Sequence, residues 1–121
     1  MNLVGKLQIK PGASVLVGNA PEGFALELPE SAHEAEAGEQ ADVVLVFVRD
    51  SSEVEPNSAP FVEAARRDAI AYIAYPKAGK LGTDLNRDIL WDMLRREGLR
   101  GVRQVSLDDV WSAMRFRPGR A

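Results

Sequence analysis

Two lysines and two glycines follow an apolar run in the segment YPKAGKLGTDLNRD. The loop contains Lys77, Gly79, Lys80, Gly82 and Thr83. A strand, a glycine-rich loop and a helix in this order form many phosphate sites, because loop N–H groups and a helix N-terminus both favour an anion. The segment lacks the G-x-x-x-x-G-K-[ST] pattern of the triphosphate-binding loop. It predicts an anion- or nucleotide-binding loop, and the alternative is an ordinary turn whose lysines are solvated.

Two further loops are expected beside this one. In open α/β sheets, ligands bind outside the carboxyl ends of the parallel strands, where the loops that follow those strands meet. The loop GNAPEG contributes Asn19 and Gly23, and the loop RDSS contributes Arg49, whose planar guanidinium suits bidentate anion contacts. We therefore predict that these three residues share a ligand site with the lysine loop.

A tryptophan and an arginine near the end of the chain are further candidates. Trp111 and Arg115 lie in the run WSAMRF and, at strand spacing, point to one face. One interpretation is a stacking surface near the lysine loop, with Arg115 holding an anion. The other is that Trp111 closes one end of the core against the preceding helix.

The residue types exclude several kinds of chemistry. The chain has no cysteine and a single histidine, His33, which excludes disulfides, thiolate catalysis and cysteine or multi-histidine metal sites. Asp84, Asp88 and Asp92 recur four residues apart, which is more typical of a solvated helix edge than of a cation site. The sequence predicts no metal site, identifies no cofactor, and assembles no set of nucleophile, base and orienting group.

Length and composition are those of one ordinary soluble domain spanning residues 1–121. Hydrophobic residues make up 45% of the chain, and the longest apolar run is VVLVFV, far shorter than the roughly 18 residues that span a bilayer. The first residues, MNLVGKLQIKPG, lack the apolar core of a signal peptide. We predict a cytoplasmic protein with no membrane association.

Charge is distributed unevenly along the chain. Residues 19–63 contain eleven acids and one base, whereas residues 95–121 contain seven arginines and three acids. The net charge is −3 and the pI is near 5.2, which leaves no broad basic face and disfavours nucleic acid as a partner. The simplest interpretation is an acidic solvated face, with arginines that pair with it or with solvent.

Hydrophobic periodicity predicts the elements that carry these residues. Residues 42–48 and 69–75 are apolar on both faces, as in central strands covered by helices on both sides. A first strand is predicted at residues 13–18. Helices are predicted at residues 3–9, at 24–28, from Pro60 to about Asp68, and from a cap at Thr83 or Asp84 to Gly98.

Three segments complete the predicted organisation. Residues 49–58 are predicted to be a loop. For residues 29–40 the sequence allows three alternatives, which are a helix, a solvated loop and a short edge strand near His33. Residues 102–107 and 110–117 are predicted to form an antiparallel hairpin. Together these elements predict a three-layer α/β sandwich with a mostly parallel, Rossmann-like sheet, whose first and later helices lie on opposite faces.

The helix after the lysine loop carries a predicted apolar stripe. Its members are Leu85, Ile89, Met93 and Leu94, which recur at helical spacing. Trp91 lies beside this stripe, and an exposed aromatic residue there would indicate a subunit contact and hence a homodimer.

The stretch VLVGNAPEGF resembles the first motif of class I methyltransferases, in which a hydrophobic strand runs into G-x-G-x-G. Ala20 stands at the second glycine of that motif, and Gly23 falls one position late. The ribose-holding acid of the family would have to be Glu34, Glu36 or Glu39. The terminal hairpin also resembles that family, and the resemblance implies a last strand inserted antiparallel between the strand before the lysine loop and the first strand of the hairpin.

Four stretches taken together resemble a second family. VFVRD, YPKAGKLGTDL, EGL and DDVWSAMRF are similar, in order and spacing, to a family of small bacterial cytosolic α/β proteins of unknown function. The PK-x-G loop and the late WS-x-x-R motif are the most specific parts of this resemblance, which covers nearly the whole chain. It implies a bacterial cytosolic α/β protein and implies no activity.

These observations lead to two functional hypotheses. The first is a non-catalytic binding or regulatory module that recognises a protein partner or an anionic small molecule. The alternative is a small methyltransferase-like enzyme that uses a nucleotide-type cofactor.

Overall fold

The computed structural model describes residues 3–36 and 39–119. Its six strands form one sheet and are β1 (Ser14–Gly18), β2 (His33–Glu34), β3 (Val43–Phe47), β4 (Ile70–Pro76), β5 (Leu99–Ser106) and β6 (Trp111–Pro118). Its α-helices are α1 (Leu3–Lys6), α2 (Ser51–Asn57), α3 (Ala59–Arg66) and α4 (Arg87–Arg95), and a short 3₁₀ turn covers Lys80–Gly82.

The sheet has the order β2-β1-β3-β4-β6-β5, and its first four strands are parallel. β6 is antiparallel to both of its neighbours, β4 and β5. The predicted mostly parallel α/β sheet and the predicted insertion of the last strand are therefore confirmed. Pro76 at the end of β4 pairs with Trp111 at the start of β6, so the turn between β5 and β6 lies at the carboxyl edge of the parallel strands.

Both faces of the sheet are covered, which explains why its central strands are apolar throughout. All five residues of β3 are buried. Helices α2, α3 and α4 pack on one face, where the rings of Phe61 and Phe116 meet edge-on with their centroids 5.7 Å apart. α1, the turn after it and residues 24–28 cover the other face. The first and later helices thus lie on opposite faces, as predicted.

The prediction that residues 49–58 form a loop is wrong, because they contain α2. The Asp50 carboxylate caps this helix by accepting a hydrogen bond from the Ser52 N–H at 2.9 Å. Pro56 lies inside the helix, and a proline at such a position is more typical of a turn than of a helix. Val54 is the buried residue of α2 and attaches it to the core.

Residues 24–28 form no helix, contrary to the prediction. Their exposure alternates, since Phe24, Leu26 and Leu28 are partly buried whereas Ala25 and Glu27 are exposed. A two-residue period is typical of extended chain, and five residues are too few to sustain an isolated helix. The segment lies across the sheet as a strap instead of a helical layer.

α4 begins at Arg87, later than predicted. Its cap is Asn86, whose side-chain oxygen accepts a hydrogen bond from the Ile89 N–H at 2.8 Å, and not Thr83 or Asp84. The later start places the three residues before the cap in the preceding loop, where Leu85 is buried in the core and the Asp84 side chain contacts Ser51.

The buried face of α4 also differs from the predicted stripe. Leu90 and Leu94 are buried, whereas Ile89 is 41% exposed. Trp91 is half-buried and lies over Gly101, where an added Cβ atom would come within 3.4 Å of the indole. An exposed aromatic residue was the condition for the predicted subunit contact, and Trp91 does not meet it.

Residues 29–40 contain the short edge strand β2, one of the open alternatives. Ala37 and Gly38 of that segment lie outside the described residues. In the part of the chain that the structure describes, no helix has the length and apolar character needed to cross a membrane.

The packing of α3 on β6 generates a stability prediction. Phe61→Ala removes a fully buried ring that contacts Phe116, and we expect the free energy of unfolding to fall by about 3–5 kcal/mol. Chemical denaturation followed by circular dichroism measures this loss. Val102→Ala is the control, because Val102 is 40% exposed and its truncation should change stability by less than about 0.5 kcal/mol. Equal effects of the two changes would contradict the described core.

Candidate functional site

The carboxyl edge of the sheet gathers three predicted site residues. Asn19 follows β1, Arg49 comes two residues after β3, and Lys77 follows β4. Because these strands are parallel and adjacent, the residues after them lie at one edge. The Lys77 N–H also donates to the Val110 carbonyl at 2.7 Å, so the turn between β5 and β6 is attached to the same edge.

A glutamate that the sequence analysis did not single out ties the first two loops together. The Glu53 Oε1 atom accepts hydrogen bonds from the Arg49 N–H at 2.9 Å and from the Asn19 side-chain amide at 3.1 Å. The same amide donates to the Phe47 carbonyl at 2.9 Å. Asn19 has a φ of 55°, a left-handed conformation that asparagine tolerates. The amide of Asn19 is therefore a structural donor inside the edge.

A second carboxylate connects the β3 loop to the lysine loop. Asp84 accepts from the backbone N–H of Ser51 at 2.8 Å and from the Ser51 hydroxyl. The hydroxyl hydrogen bond, followed by the backbone hydrogen bond, holds the pKa of Asp84 below its ordinary value of 3.8. The carboxylate thus stays charged at neutral pH and fixes the two loops relative to each other.

The lysine loop is held by its own backbone. The N–H groups of Lys80 and Thr83 donate to the carbonyls of Lys77 and Lys80, at 2.9 and 3.0 Å. The Thr83 hydroxyl oxygen accepts from the Leu85 N–H at 3.0 Å. The N–H groups of Lys80 and Thr83 are therefore used within the loop.

The tip of the loop has an unusual backbone. Gly79 and Gly82 have φ values of 78° and 66°, and Leu81 between them has a φ of 54°. The left-handed region favours glycine and costs a residue with a Cβ atom about 1–2 kcal/mol. Leu81 is also 60% exposed, so the loop presents an apolar side chain beside Lys80 at the expense of local strain. Such strain is concentrated at binding sites.

The two lysines of the loop are oriented differently. The Lys77 ammonium donates to the Ser106 hydroxyl at 2.8 Å, at the end of β5. Lys80 is exposed on the 3₁₀ turn. Lys77 therefore points towards the β5–β6 turn, whereas Lys80 forms no ion pair with any of the residues that the structure describes.

Trp111 and Arg115 lie in different environments and do not form one site. The Trp111 ring is 6% exposed and meets the Phe47 ring edge-on at 5.0 Å, on the α1 side of the sheet. The Trp111 indole therefore belongs to the core, on the face opposite α4. Arg115 pairs with Tyr72 in the middle of the sheet, four residues or about 13 Å along β6 from the carboxyl edge.

A small cavity lies beyond the ends of β1 and β2. It has a volume of about 220 Å³ and is lined mainly by Val17, Ala20, Glu34 and the strap residues Phe24, Leu26 and Leu28. Gly23, with a φ of 83°, turns the chain into the strap. Of the three acids considered for a ribose contact, Glu34 is the one that lines the cavity.

The residues that organise the edge were only partly visible in the sequence. Asp50 and Glu53 have the spacing of a capping box. Asp50 accepts from the Ser52 N–H as the cap, whereas Glu53 accepts from the N–H of Arg49, one residue before the cap. That signal could have identified α2 and its glutamate. The contact between Ser51 and Asp84 joins residues 33 positions apart and has no local signature.

Comparisons with known proteins show the fold. The chain is similar to the crystal structure of a SAM-dependent methyltransferase from Aquifex aeolicus, with a TM-score of 0.55 and 15% sequence identity over 94% of this chain and 86% of that one. No protein-family model matches the sequence, and no curated protein matches it. At this identity the likeness establishes a methyltransferase-like architecture.

The hydrogen bonds between Ser51 and Asp84 make a testable prediction about pKa. In Ser51→Ala the hydroxyl donor is lost, so the pKa of Asp84 should rise towards 3.8. Because the folded-state pKa is lowered, the contact stabilises the protein above pH 3.8 and is lost as pH falls through the folded-state value. Carboxyl ¹³C chemical shifts followed through an acid titration measure the change.

Ser52→Ala provides the matched control. Its hydroxyl donates to Asp50 and not to Asp84, so this change should leave the pKa of Asp84 where it is in the unmodified protein. An Asp84 pKa that is the same in Ser51→Ala and in the unmodified protein would contradict the described connection between the two loops.

Proposed function

We propose that this protein is a non-catalytic binding module that holds an anionic, phosphate-bearing small molecule at the carboxyl edge of its sheet. The observation that carries the proposal is a set of three cations at that edge, Arg49, Lys77 and Lys80. Within the described residues, none of the three lies within 4 Å of an acidic oxygen in an ion pair. Guanidinium and ammonium groups without a carboxylate partner are suited to phosphate oxygens.

The way the edge is held supports a binding role. The carboxylates of Glu53 and Asp84 are engaged with backbone N–H groups of the β3 loop. These contacts fix the loops before a ligand arrives and lower the cost of ordering them on binding. The exposed Leu81 beside Lys80 adds an apolar contact for the organic part of a ligand.

The lowered pKa of Asp84 makes this carboxylate unsuited to act as a general base. A general base works best with a pKa near the operating pH. The pKa of Asp84 moves in the opposite direction, because the Ser51 hydroxyl and N–H stabilise its charged form. His33 lies on the edge strand β2, three strands away from β4, and is 3.4 Å from Glu39, so the one imidazole of the chain is not next to the lysine loop.

The test is phosphate and nucleotide binding by the double variant Arg49→Ala with Lys80→Ala. Both side chains are exposed, so stability should change by less than about 0.5 kcal/mol, while affinity for the anion should fall at least ten-fold. Isothermal titration calorimetry with inorganic phosphate and with adenosine monophosphate measures the affinity. Lys10→Ala is the control, because Lys10 is exposed before β1, at the opposite edge. Retained affinity in the double variant would overturn the proposal.

A second candidate function is that of a small methyltransferase-like enzyme with a nucleotide-type cofactor. The fold likeness favours it, as does the cavity at the ends of β1 and β2 with the Glu34 carboxylate in its wall. The cavity of about 220 Å³ is below the roughly 300–1,000 Å³ typical of small-molecule sites. The residues present therefore do not fit the whole S-adenosylmethionine molecule, and we rank this function second.

The second candidate is tested by a thermal-shift assay with S-adenosylmethionine. A cofactor at a hundredfold excess over its Kd stabilises a protein by about 2.7 kcal/mol, which is an increase of several degrees in Tm. We expect no such increase, because the strap of residues 24–28 limits the cavity. An increase that disappears in Glu34→Gln would favour the enzyme over the binding module, and an increase retained in Glu34→Gln would locate the cofactor elsewhere.

A further inference from the structure

The arginines at the end of the chain form an ordered array on one face of the sheet. Arg100 pairs with Arg117 across β5 and β6, and Arg103 pairs with Arg115. Residues directly opposite each other in an antiparallel pair point to the same face. Arg115 and Arg117 are two residues apart and therefore also share a face. The four side chains project from the face that carries α1, with Trp111 and Ala113 further along β6.

A bulge in β5 is required for this arrangement. Arg100 and Arg103 are three residues apart, and in a regular strand an odd separation places side chains on opposite faces. The register shifts between Gly101 and Arg103, which absorbs one residue and returns Arg103 to the face of Arg100. Bulges redirect side chains in this way and are maintained features of a fold.

The array has one acidic partner among the described residues. Asp68 receives two hydrogen bonds from Arg117, at 2.9 and 2.7 Å. These bonds, and the charges of Arg117, Arg115 and Arg100, lower the pKa of Asp68. Four arginines against one aspartate leave a local charge of +3. Like charges directly opposite each other on a sheet are destabilising, and this hairpin holds two such pairs.

The other three guanidinium groups contact neutral oxygens. Arg100 donates to the Pro118 carbonyl, Arg103 to the Lys6 carbonyl and Arg115 to the Gln8 side chain, each at 3.2 Å. The Nε atom of Arg115 is buried and, within the described residues, has no hydrogen-bond partner. A buried donor without a partner is costly and rare. The array therefore holds surplus positive charge, whereas the Nε atom of Arg115 is shielded from solvent.

We propose that this arginine array, Arg100, Arg103, Arg115 and Arg117, is a binding site for a compact ligand with two adjacent phosphate groups. The four Cα positions lie within a rectangle of about 5 by 7 Å, from the spacing of antiparallel strands and of alternate residues along them. Arginine side chains that start this close together can reach two neighbouring phosphates, and arginine forks bind phosphate oxygens in pairs. An extended nucleic acid is disfavoured, because the rest of the chain is acidic and the net charge is −3.

The array is separate from the carboxyl-edge site. Arg115 is about 13 Å along β6 from that edge, and its cross-strand partner is Tyr72 in the middle of β4. Tyr72 donates to Gln8 at 2.8 Å, and Gln8 accepts from Arg115, so the turn after α1 positions the array. The site does not depend on the proposed function of the lysine loop.

The test is calorimetric titration of the whole protein with inorganic diphosphate and inorganic monophosphate at low ionic strength. The unmodified protein should bind diphosphate at least ten-fold more tightly than monophosphate. Arg103→Gln and, in a separate variant, Arg100→Gln should each weaken diphosphate binding at least ten-fold. Arg95→Gln is the control, because Arg95 is an exposed arginine in the last turn of α4, on the other side of the sheet. Adenosine diphosphate distinguishes a free diphosphate from one carried by a nucleoside, since only the latter binds more tightly with the nucleoside attached.

A stability measurement separates the array from a structural role. Without added anion, Arg103→Gln should melt at or above the temperature of the unmodified protein, because it removes one like-charge pair. With saturating diphosphate the order should reverse. No saturable binding, equal affinity for the two phosphates, or equal losses in Arg95→Gln and Arg103→Gln would overturn the proposal. Binding lost in the Arg49→Ala, Lys80→Ala variant but retained in Arg103→Gln would assign the ligand to the lysine loop and overturn it as well.

Discussion

The antiparallel pairing of β6 with β4 is the constraint on which both proposed sites depend. Its register runs from Ala71 opposite Phe116 to Pro76 opposite Trp111. Because β6 starts where β4 ends, the turn between β5 and β6 lies beside the lysine loop, and Lys77 can reach both Val110 and Ser106. The same insertion displaces β5 to the edge of the sheet, where long charged side chains have room. A sequential order of β5 and β6 would separate the lysine loop from its neighbours.

The strands that could be predicted from the sequence are those whose burial produces a recognisable hydrophobic pattern. β3 and β4 are covered on both faces and therefore read as continuous apolar runs. The position of β6 came from a resemblance, because no local pattern specifies which strands are neighbours. Residues 24–28 were assigned to a helix although their exposure alternates, and α2 was assigned to a loop because Pro56 concealed the capping residues Asp50 and Glu53. Short elements are determined by their contacts more than by propensity.

For the candidate site, too, the positions of the residues could be predicted from the sequence, whereas their hydrogen bonds could not. That Asn19, Arg49 and Lys77 meet at one edge follows from the parallel direction of β1, β3 and β4, which the sequence predicted. What the loops do there depends on Glu53 and Asp84, whose partners are distant in sequence. Both carboxylates bind N–H groups, so the acids of this edge hold the backbone and leave the cations unpaired. Residue type alone does not show whether an acid holds the backbone or pairs with a cation. That difference depends on which hydrogen bonds the folded chain makes.

Strand order also converts the uneven charge along the chain into a separation in space. The acidic residues Glu34, Glu36 and Glu39 lie in or just after β2 at one side of the sheet, and the arginine array lies on β5 and β6 at the other. Strands about 4.8 Å apart place β2 and β5 roughly 24 Å from each other, whereas screening at physiological salt acts over about 8 Å. The acids that follow β2 therefore cannot neutralise the arginine array, so of the two environments that the sequence allowed for the arginines, the acidic face and solvent, the array does not have the first. Neutralisation has to be local, and Asp68 supplies one negative charge of the four needed. The remaining charge is what an incoming anion would balance.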